Sequence, residues 1–143
     1  MSFDLKLTSG DLTIKNGTLQ TVTDTDKLIQ DILKICLTDV GGNPIQPWYG
    51  SFLSRSIVGS ALDPSVTVSL AQSQIQNAIG NLKSLQSAQV SSLQSVTPSE
   101  MISAILDISV LQSNADPRLY DVLVSIVTKA FKKVSPSFTI STI

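Results

Sequence analysis

The sequence predicts an α+β fold, in which a small, mostly antiparallel sheet with an N-terminal β-hairpin packs against two main helices. Apolar residues alternate with polar ones before residue 23 and again after residue 102, which is the period of half-buried strands. Between these regions lie two segments that carry apolar residues at helical spacing. With 143 residues the chain can bury a core of its own, so we expect one domain spanning residues 1–143.

The N-terminal residues predict the hairpin. Residues 3–8 alternate between apolar and polar side chains, and Gly10 marks a first turn. The Asn16-Gly17 dipeptide accepts positive φ at both central positions of a type I′ turn. We therefore expect the strand that follows Gly10 to reverse there and to return through residues 19–22.

The next segment predicts an amphipathic helix that is capped by Asp24 or Thr25 and ends at Gly41-Gly42. Its apolar positions at helical spacing are Leu28, Ile29, Ile32, Leu33 and Cys36. Its opposite face carries Lys27, Gln30, Asp31 and Lys34. Because Cys36 is the only cysteine, an internal disulfide is excluded, and its apolar neighbours predict a buried thiol.

A connector and a second helix follow. The 43–51 connector holds two prolines and the only tryptophan, which predicts turns with aromatic side chains packed on the helices. Asp63-Pro64 predicts a helix start, with the aspartate as cap and the proline at the first helical position. The apolar stripe of this helix is Leu70, Ala71, Ile75, Ala78, Ile79, Leu82 and Leu85. Its remaining surface is mostly Ser, Gln and Asn, which suits a helix covered by a neighbouring subunit.

Strands dominate the predicted C-terminal part. The spacing from Thr97 to Glu100 matches a capping box, which predicts a short helical turn. Alternating apolar residues then predict two long strands joined by a hairpin loop at residues 114–118. The strand between Asp121 and Thr128 is apolar on both faces and should be central, whereas the C-terminal strand at 135–143 should be an edge.

The residue inventory offers little chemistry. The chain has no histidine, which removes the most common general base and metal ligand. It also lacks phosphate-binding glycine loops, paired CxxC motifs and acidic clusters at calcium-loop spacing, so we expect no cofactor, no metal and no catalytic residue. The formal net charge of -1 argues against nucleic-acid binding. No apolar segment approaches the ~20 residues that a membrane helix needs.

One enzymatic alternative stays open. Two carboxylates could hydrolyse a glycosidic bond if one were protonated and the other ionised. Glu100 is the only glutamate, while Asp24, Asp63 and Asp116 suit caps and turns. A lysozyme-like activity would therefore depend on Glu100.

Several motifs, in their order along the chain, resemble the baseplate-wedge family of contractile phage tails, which also has a relative in the type VI secretion baseplate. The motifs are Gly10-Asp11-Leu12, QDILK at 30–34, PWYGS at 47–51 and the helix stripe at 75–82, followed by paired strands. The Tyr-Gly-Ser turn after a glycine-rich helix end is fairly specific as a combination of motifs. The residues of this fold-defining turn are Gly41, Gly42, Pro47, Trp48, Tyr49 and Gly50.

The resemblance implies a structural protein of the virion tail baseplate, made in the host cytoplasm and without enzymatic activity. Such a protein joins the wedge to the first sheath layer and nucleates sheath assembly by β-strand augmentation. The implied partners are other baseplate wedge proteins, the tail sheath protein and the tail tube or hub, in a six-fold assembly without nucleic-acid or membrane contacts. The same role in a headless contractile particle, such as a tailocin or an extracellular injection system, is an alternative.

The resemblance also suggests where partners dock. Family members typically carry a Glu-Pro-Arg signature before the first long strand, which looks like the docking point for the helical core of the wedge. Here the place reads Ser99-Glu100-Met101, while Asp116-Pro117-Arg118 lies downstream, where we predict a hairpin turn with Arg118 as an alternative partner contact. The C-terminal strand either closes the domain's own sheet or serves as an exchanged arm. The predicted partner interface comprises Glu100, Met101, Arg118, Phe138 and Ile140.

Overall fold

The computed structural model of the protein describes residues 2–59 and 63–142. Short antiparallel strand pairs form the N-terminal part, helices the middle, and a larger antiparallel sheet the C-terminal part. The predicted fold class is confirmed: the structure is α+β, with antiparallel sheets, an N-terminal hairpin region and helices packed with them.

Residues 3–23 form a branched β unit that we call the three-way ribbon. Its strands are β1 (Phe3–Leu5), β2 (Leu7–Thr8), β3 (Asp11–Leu12), β4 (Ile14–Lys15), β5 (Thr18–Leu19) and β6 (Thr21–Thr23). β1 pairs with β6, β2 with β3, and β4 with β5, all antiparallel. The pairs meet at a ring of backbone hydrogen bonds, from Lys6 N–H to Gln20 O (2.8 Å), from Thr13 N–H to Lys6 O (3.0 Å) and from Gln20 N–H to Thr13 O (2.9 Å).

Both predicted turns of the ribbon are present. Ser9 and Gly10 have φ values of 52° and 82°, and Asn16 and Gly17 have φ values of 52° and 74°. Two successive positive φ values fit the type I′ geometry of tight hairpins, which glycine adopts without steric cost. The sequence predicts one continuous hairpin, whereas the ribbon branches into three strand pairs. The branching occurs at the hydrogen-bonded ring, where each strand ends and the next strand pairs with a different partner.

Helix α1 spans Asp24–Leu37. Its N-cap is Thr23, one residue before the first predicted cap, and the alternatives Asp24 and Thr25 are both inside the helix. Thr23 is also paired with Phe3 across β1 and β6, so the strand runs directly into the helix without an intervening loop.

The end of α1 also comes earlier than the predicted Gly41-Gly42. Thr38 has extended backbone angles, and its carbonyl accepts the N–H of Ser51 at 2.8 Å. This contact with the connector draws the chain away from the helix after Leu37, before the glycines are reached.

Two further helices cover the middle of the chain. α2 spans Leu53–Ile57 and α3 spans Pro64–Ser91. The predicted start of α3 is confirmed, with Asp63 at the N-cap and Pro64 in the first turn. The buried residues of α3 are Thr67, Ala71, Ile75, Ala78, Ile79, Leu82 and Gln86, so most of the predicted stripe is in the core.

The C-terminal sheet begins after a single 3-10 turn at Pro98–Glu100. Its strands are β7 (Ile102–Gln112), β8 (Leu119–Thr128), β9 (Lys133–Val134) and β10 (Ser137–Ser141). β8 lies between β7 and β10, and β9 pairs with the far end of β8 on the β10 side. The predictions of a central β8 and an edge strand at the C-terminus are confirmed, although Ile143 lies outside the described residues.

One buried apolar cluster joins the helices to the sheet. Its largest fully buried members are Leu28, Ile32, Ile35, Ile57, Ile75, Ile79, Ile102, Val122, Val124 and Ile126. Cys36 belongs to this cluster, and burial raises the pKa of its thiol to about 12, so the predicted buried thiol is confirmed. Within residues 2–59 and 63–142, no helix has the length and apolar character that crossing a bilayer requires.

Candidate interaction surfaces

A groove of about 950 Å³ separates the three-way ribbon from α1 and the start of β10. The ribbon contributes Leu7, Ser9 and Gly10 to one wall. α1 forms the floor, and Ser137 and Phe138 form the opposite wall. The groove is thus open to solvent along a sheet edge, with apolar side chains below it.

The floor of the groove is a second apolar face of α1. Ile29, Leu33 and Leu37 follow one another at intervals of four residues, which places them on one side of the helix. They line the groove, and Ile29 also packs partly against the core, whereas Leu28, Ile32, Ile35 and Cys36 belong to the core itself. Leu37 is 57% exposed. α1 therefore carries more apolar surface than the core of its own chain covers.

The wall on the β10 side is an open strand edge. The N–H of Val124 donates to Pro136 O at 3.0 Å and the N–H of Thr142 donates to Arg118 O at 2.9 Å, which directs the backbone groups of even-numbered residues toward β8. The backbone groups of Ser137 and Thr139 consequently point away from β8. In the described part of the chain, no strand pairs with this outer edge.

The two β10 residues of the predicted interface point inward. Ile140 is only 9% exposed, and Phe138 is partly buried against the core and also lines the groove. The strand closes the sheet of its own chain by pairing with β8 from Leu119 to Leu123. Of this pair, Phe138 alone presents part of its side chain to the groove.

A polar network fixes the ribbon on α1. The buried side chain of Gln30 accepts the N–H of Leu7 at 2.9 Å and donates to Leu5 O at 2.8 Å and to Asp4 Oδ2 at 3.0 Å. Lys34 forms an ion pair with Asp4 and a second one with Asp31 at 3.3 Å. The ribbon is therefore attached to the predicted polar face of α1.

The ionisation of this network follows from its contacts. Partial burial disfavours the charged form of Asp4, but the ion pair with Lys34 and the Gln30 amide outweigh it and lower the pKa of Asp4. Burial likewise opposes the charge of Lys34, yet Asp4 and Asp31 raise the pKa of Lys34. Both partners are thus charged across the neutral range.

The predicted fold-defining turn lies next to the end of α1. Gly50 has φ 122°, and a Cβ atom there would come within 2.4 Å of the Thr38 carbonyl oxygen. The N–H of Gly41 (φ 86°) donates to Pro47 O at 3.0 Å and closes the loop. Within the predicted turn, Gly50 is the position at which a side chain has no space, because two backbone segments approach each other.

The aromatic pair of the turn is divided between core and solvent. Trp48 and Tyr49 pack edge to face, with ring centroids 6.2 Å apart. Tyr49 packs partly against the core, whereas Trp48 is 45% exposed. Gly42, between the helix end and the loop, would place a Cβ atom 3.0 Å from Asp39 O.

Glu100 and Met101 are inside the molecule. They are 1% and 6% exposed, so their side chains are not on the surface that a partner would meet. Glu100 Oε2 accepts the N–H of Thr97 at 2.9 Å, which is one half of the predicted capping box. The Thr97 hydroxyl donates to Asp24 Oδ1 at 3.2 Å, and this ties the turn to the start of α1.

The pKa of Glu100 reflects its contacts in the turn. Burial raises the pKa of a carboxyl group, but the Thr97 N–H and the nearby Ser2 outweigh this effect, so the pKa of Glu100 is lowered. Its Oε2 caps the turn, whereas Oε1 is buried without a hydrogen-bond partner in the described part of the chain. A general acid for glycoside hydrolysis needs the opposite shift.

Arg118 lies in the hairpin turn that the sequence predicts. Its N–H donates to Asp116 Oδ1 at 3.0 Å, and its guanidinium donates to both carboxylate oxygens of Asp116 at 3.1 and 3.2 Å. These contacts lower the pKa of Asp116 and raise that of Arg118. The Arg118 side chain is 61% exposed, so it also remains accessible to a partner.

The sequence did not indicate the groove itself. The sequence predicts that its floor faces the core, because Ile29 and Leu33 continue the apolar periodicity of Leu28 and Ile32 without a break. The width of that apolar face, together with Leu37, was the available signal. The apolar side chains of the ribbon are more exposed than half-buried strands usually are, and those above 40% are Phe3, Leu12, Ile14 and Leu19.

Two carboxylates lie close to the amino group of Lys34. Asp4 and Asp31 both line a shallow pocket, but both form ion pairs with Lys34. In the described ranges, no three His, Cys, Asp or Glu side chains lie together as a metal site would require.

Comparisons with known proteins bear on the fold. No protein-family model matches the chain, and no curated protein matches it. Among solved structures, it is similar to the crystal structure of a "putative tail lysozyme" from Geobacter sulfurreducens, with a TM-score of 0.59 and 13% sequence identity. The match covers 81% of this chain and 88% of that protein. At this identity the likeness establishes a common fold and assigns no activity.

Proposed function

We propose that this protein is a structural component of a phage-type contractile tail, located in the baseplate. There it joins the wedge to the first sheath layer and starts sheath assembly without catalysing a reaction. The observation that carries the proposal is the open edge of β10 beside an uncovered apolar face of α1. The fold that it shares with the "putative tail lysozyme", together with the motif order of the sequence, directs the proposal to tails.

The edge of β10 is the acceptor in this proposal. An incoming strand from a neighbouring subunit pairs with the outward backbone groups of Ser137 and Thr139. Alternate side chains of that strand cover Leu33 and Leu37 on α1. Covering a half-exposed leucine stabilises the contact by about 1 kcal/mol. Because β10 already pairs with β8 of its own chain, the exchanged arm comes from the partner.

A proline at position 139 tests the edge. Thr139→Pro removes an N–H that points outward and leaves the hydrogen bonds between β10 and β8 in place. We expect a folded protein that no longer supports full-length sheaths, scored by electron microscopy of tail particles. Thr139→Val is the matched control, because it keeps the N–H and loses only the side-chain bond to Asp121 at 3.0 Å.

Two outcomes would contradict the proposal. One is normal sheath length with folded Thr139→Pro protein. The other is absence of the wild-type chain from purified particles, measured by mass spectrometry against the sheath protein. A headless contractile particle would give the same results as a phage, since the geometry of the edge is identical in both.

The lysozyme-like alternative has the name of the similar structure in its favour. The burial of Glu100 and its lowered pKa argue against this alternative. A peptidoglycan-clearing assay separates the two functions: activity in the wild-type protein that Glu100→Gln abolishes, with unchanged folding, would replace the structural proposal.

A further inference from the structure

The turn between β8 and β9 presents a phenylalanine to solvent. Phe131 is 91% exposed and has a left-handed backbone with φ 59°. Backbone hydrogen bonds fix the turn around it. The N–H of Phe131 donates to Thr128 O at 3.0 Å, and the N–H of Thr128 donates to Lys132 O at 2.9 Å. The backbone N–H of Lys129 also donates to Met101 O at 3.0 Å.

Both features of Phe131 are unfavourable for the chain alone. A bulky residue rarely has positive φ, and glycine or asparagine would adopt this conformation with less strain. An exposed phenylalanine also contributes nothing to the core. Residues with a strained backbone often cluster at functional sites.

The surroundings of Phe131 are basic. Lys129, Lys132 and Lys133 are exposed and account for three of the 10 basic residues within five positions of the sequence. None of them forms an ion pair within residues 2–59 and 63–142. Because the whole chain has a net charge of -1, this positive charge is a local property of the turn.

We propose that this turn is a docking knob for another protein. Phe131 enters an apolar recess, and carboxylates on the rim of the recess meet Lys129, Lys132 and Lys133. An aromatic side chain in a pocket, with charged pairs at its rim, is the usual composition of an interface hot spot.

The chemistry of the turn favours a protein over other partners. Recognition of anionic lipid surfaces takes clusters of about 4–8 basic residues, more than the turn carries. Single-stranded nucleic acid is held by several aromatic side chains along a positive groove, and here one ring stands on a protruding turn. The knob is also separate from the β10 edge and does not depend on the function proposed for it.

A photo-crosslinker at position 131 identifies the partner. Phe131 is replaced by p-benzoylphenylalanine in the full chain, in the cells that produce it, and the crosslinked peptide is sequenced. The expected product joins position 131 to an apolar segment of another protein that carries nearby Asp or Glu residues. The control places the crosslinker at exposed Asn114, in the β7–β8 loop. No crosslink, or crosslinks to lipid, nucleic acid or a segment without carboxylates, overturns the proposal.

Two variants then separate docking from folding. Phe131→Gly should leave the Tm of the isolated chain unchanged or higher, because glycine relieves the left-handed backbone, and should weaken binding to the crosslinked protein at least tenfold. Charge reversal of all three lysines to Glu should weaken binding by a similar factor, and raising the salt concentration should weaken binding of the wild-type protein. A lower Tm of Phe131→Gly, or unchanged binding by either variant, would refute the docking role.

Discussion

The two outer edges of the C-terminal sheet differ in what covers them. On the β7 side, α3 places two side-chain donors on the edge: Gln72 Nε2 bonds to Ile108 O at 3.0 Å, and Lys83 Nζ bonds to Ser103 O at 2.8 Å. Two register shifts near the start of β7 interrupt its ladder further. On the β10 side, the strand is short and regular and lies next to an apolar groove.

This difference shows how one edge of a sheet can be protected from strand pairing while the other edge stays open. An open edge strand pairs readily with other chains, and proteins usually block such edges with charge, bulges or a covering element. Here the longer strand β7 has bulge-type register shifts and is contacted by Lys83 of α3, while the five-residue strand β10 pairs with β8 in a regular register. Under the proposed function, a neighbouring chain would therefore pair with β10 and not with β7.

The largest expected effect comes from the strand that both edges share. Ile126 in β8 is fully buried and pairs with Ile105 of β7 and Val134 of β9. Ile126→Ala should lower the free energy of unfolding by about 3 kcal/mol, because it leaves a cavity in the apolar core cluster. Urea denaturation measures this change.

The matched control is Leu123→Ala in the same strand. Leu123 is 45% exposed, so its truncation should cost less than about 1 kcal/mol. Equal losses for the two variants would mean that β8 is not the buried centre of the sheet.

The next effect concerns the end of the helix that forms the groove floor. Gly50→Ala should destabilise the fold by about 2–3 kcal/mol, because its Cβ atom would meet Thr38 O at 2.4 Å and its φ is 122°. Gly41→Ala is the control: its φ is 86°, but nothing lies within 4 Å of the added atom. Thermal denaturation should rank Gly41→Ala clearly closer to wild type, and the reverse order would contradict the close approach.

A smaller change opens the blocked edge. Gln72→Ala removes the donor to Ile108 O and should cost about 1 kcal/mol of stability, while Gln76→Ala on the exposed side of α3 should cost nearly nothing. If side chains of α3 protect β7, the first variant should also self-associate more than wild type in analytical ultracentrifugation. Identical behaviour of the two variants would mean that the Gln72 contact does not protect the edge of β7.

The fold was largely predictable, and the reasons are local. Type I′ turns follow from Asn16-Gly17, the start of α3 from Asp63-Pro64, and the central place of β8 from its apolar residues on both faces. Each of these signals is contained within a few neighbouring residues. The branching of the ribbon was not predictable, because it arises from contacts among residues seven to fourteen positions apart in the ring of Lys6, Thr13 and Gln20.

The candidate surfaces were less predictable than the fold. Apolar periodicity places Ile29 and Leu33 on α1 but does not say whether the core or a groove receives them. Spacing likewise identified the cap at Glu100 without revealing that the side chain is buried. The exposure of Phe131 has no sequence signal at all, since the left-handed turn is determined by Thr128 and the strands on either side.

The smallest expected effect tests the attachment of the ribbon wall to the groove floor. The folded-state pKa of Asp4 is lowered below 3.8, so its contribution to stability is complete at neutral pH and is lost as the pH falls through that lowered value. The ion pair with Lys34 is about one third exposed, and solvent screening limits its contribution to less than about 1 kcal/mol.

Asp4→Asn should therefore flatten the acid side of the pH–stability curve, measured by urea denaturation between about pH 3 and 7. Asp11→Asn, at a ribbon position whose side chain accepts the N–H of Leu12 at 2.8 Å, serves as the control and should leave the curve close to wild type. Amide exchange provides a local reading: the N–H of Leu7, bonded to Gln30, should exchange faster in Asp4→Asn, because the ribbon then separates from α1 more often. Unchanged exchange at Leu7 would mean that Gln30 alone holds this wall, and that the groove keeps its shape without the ion pair.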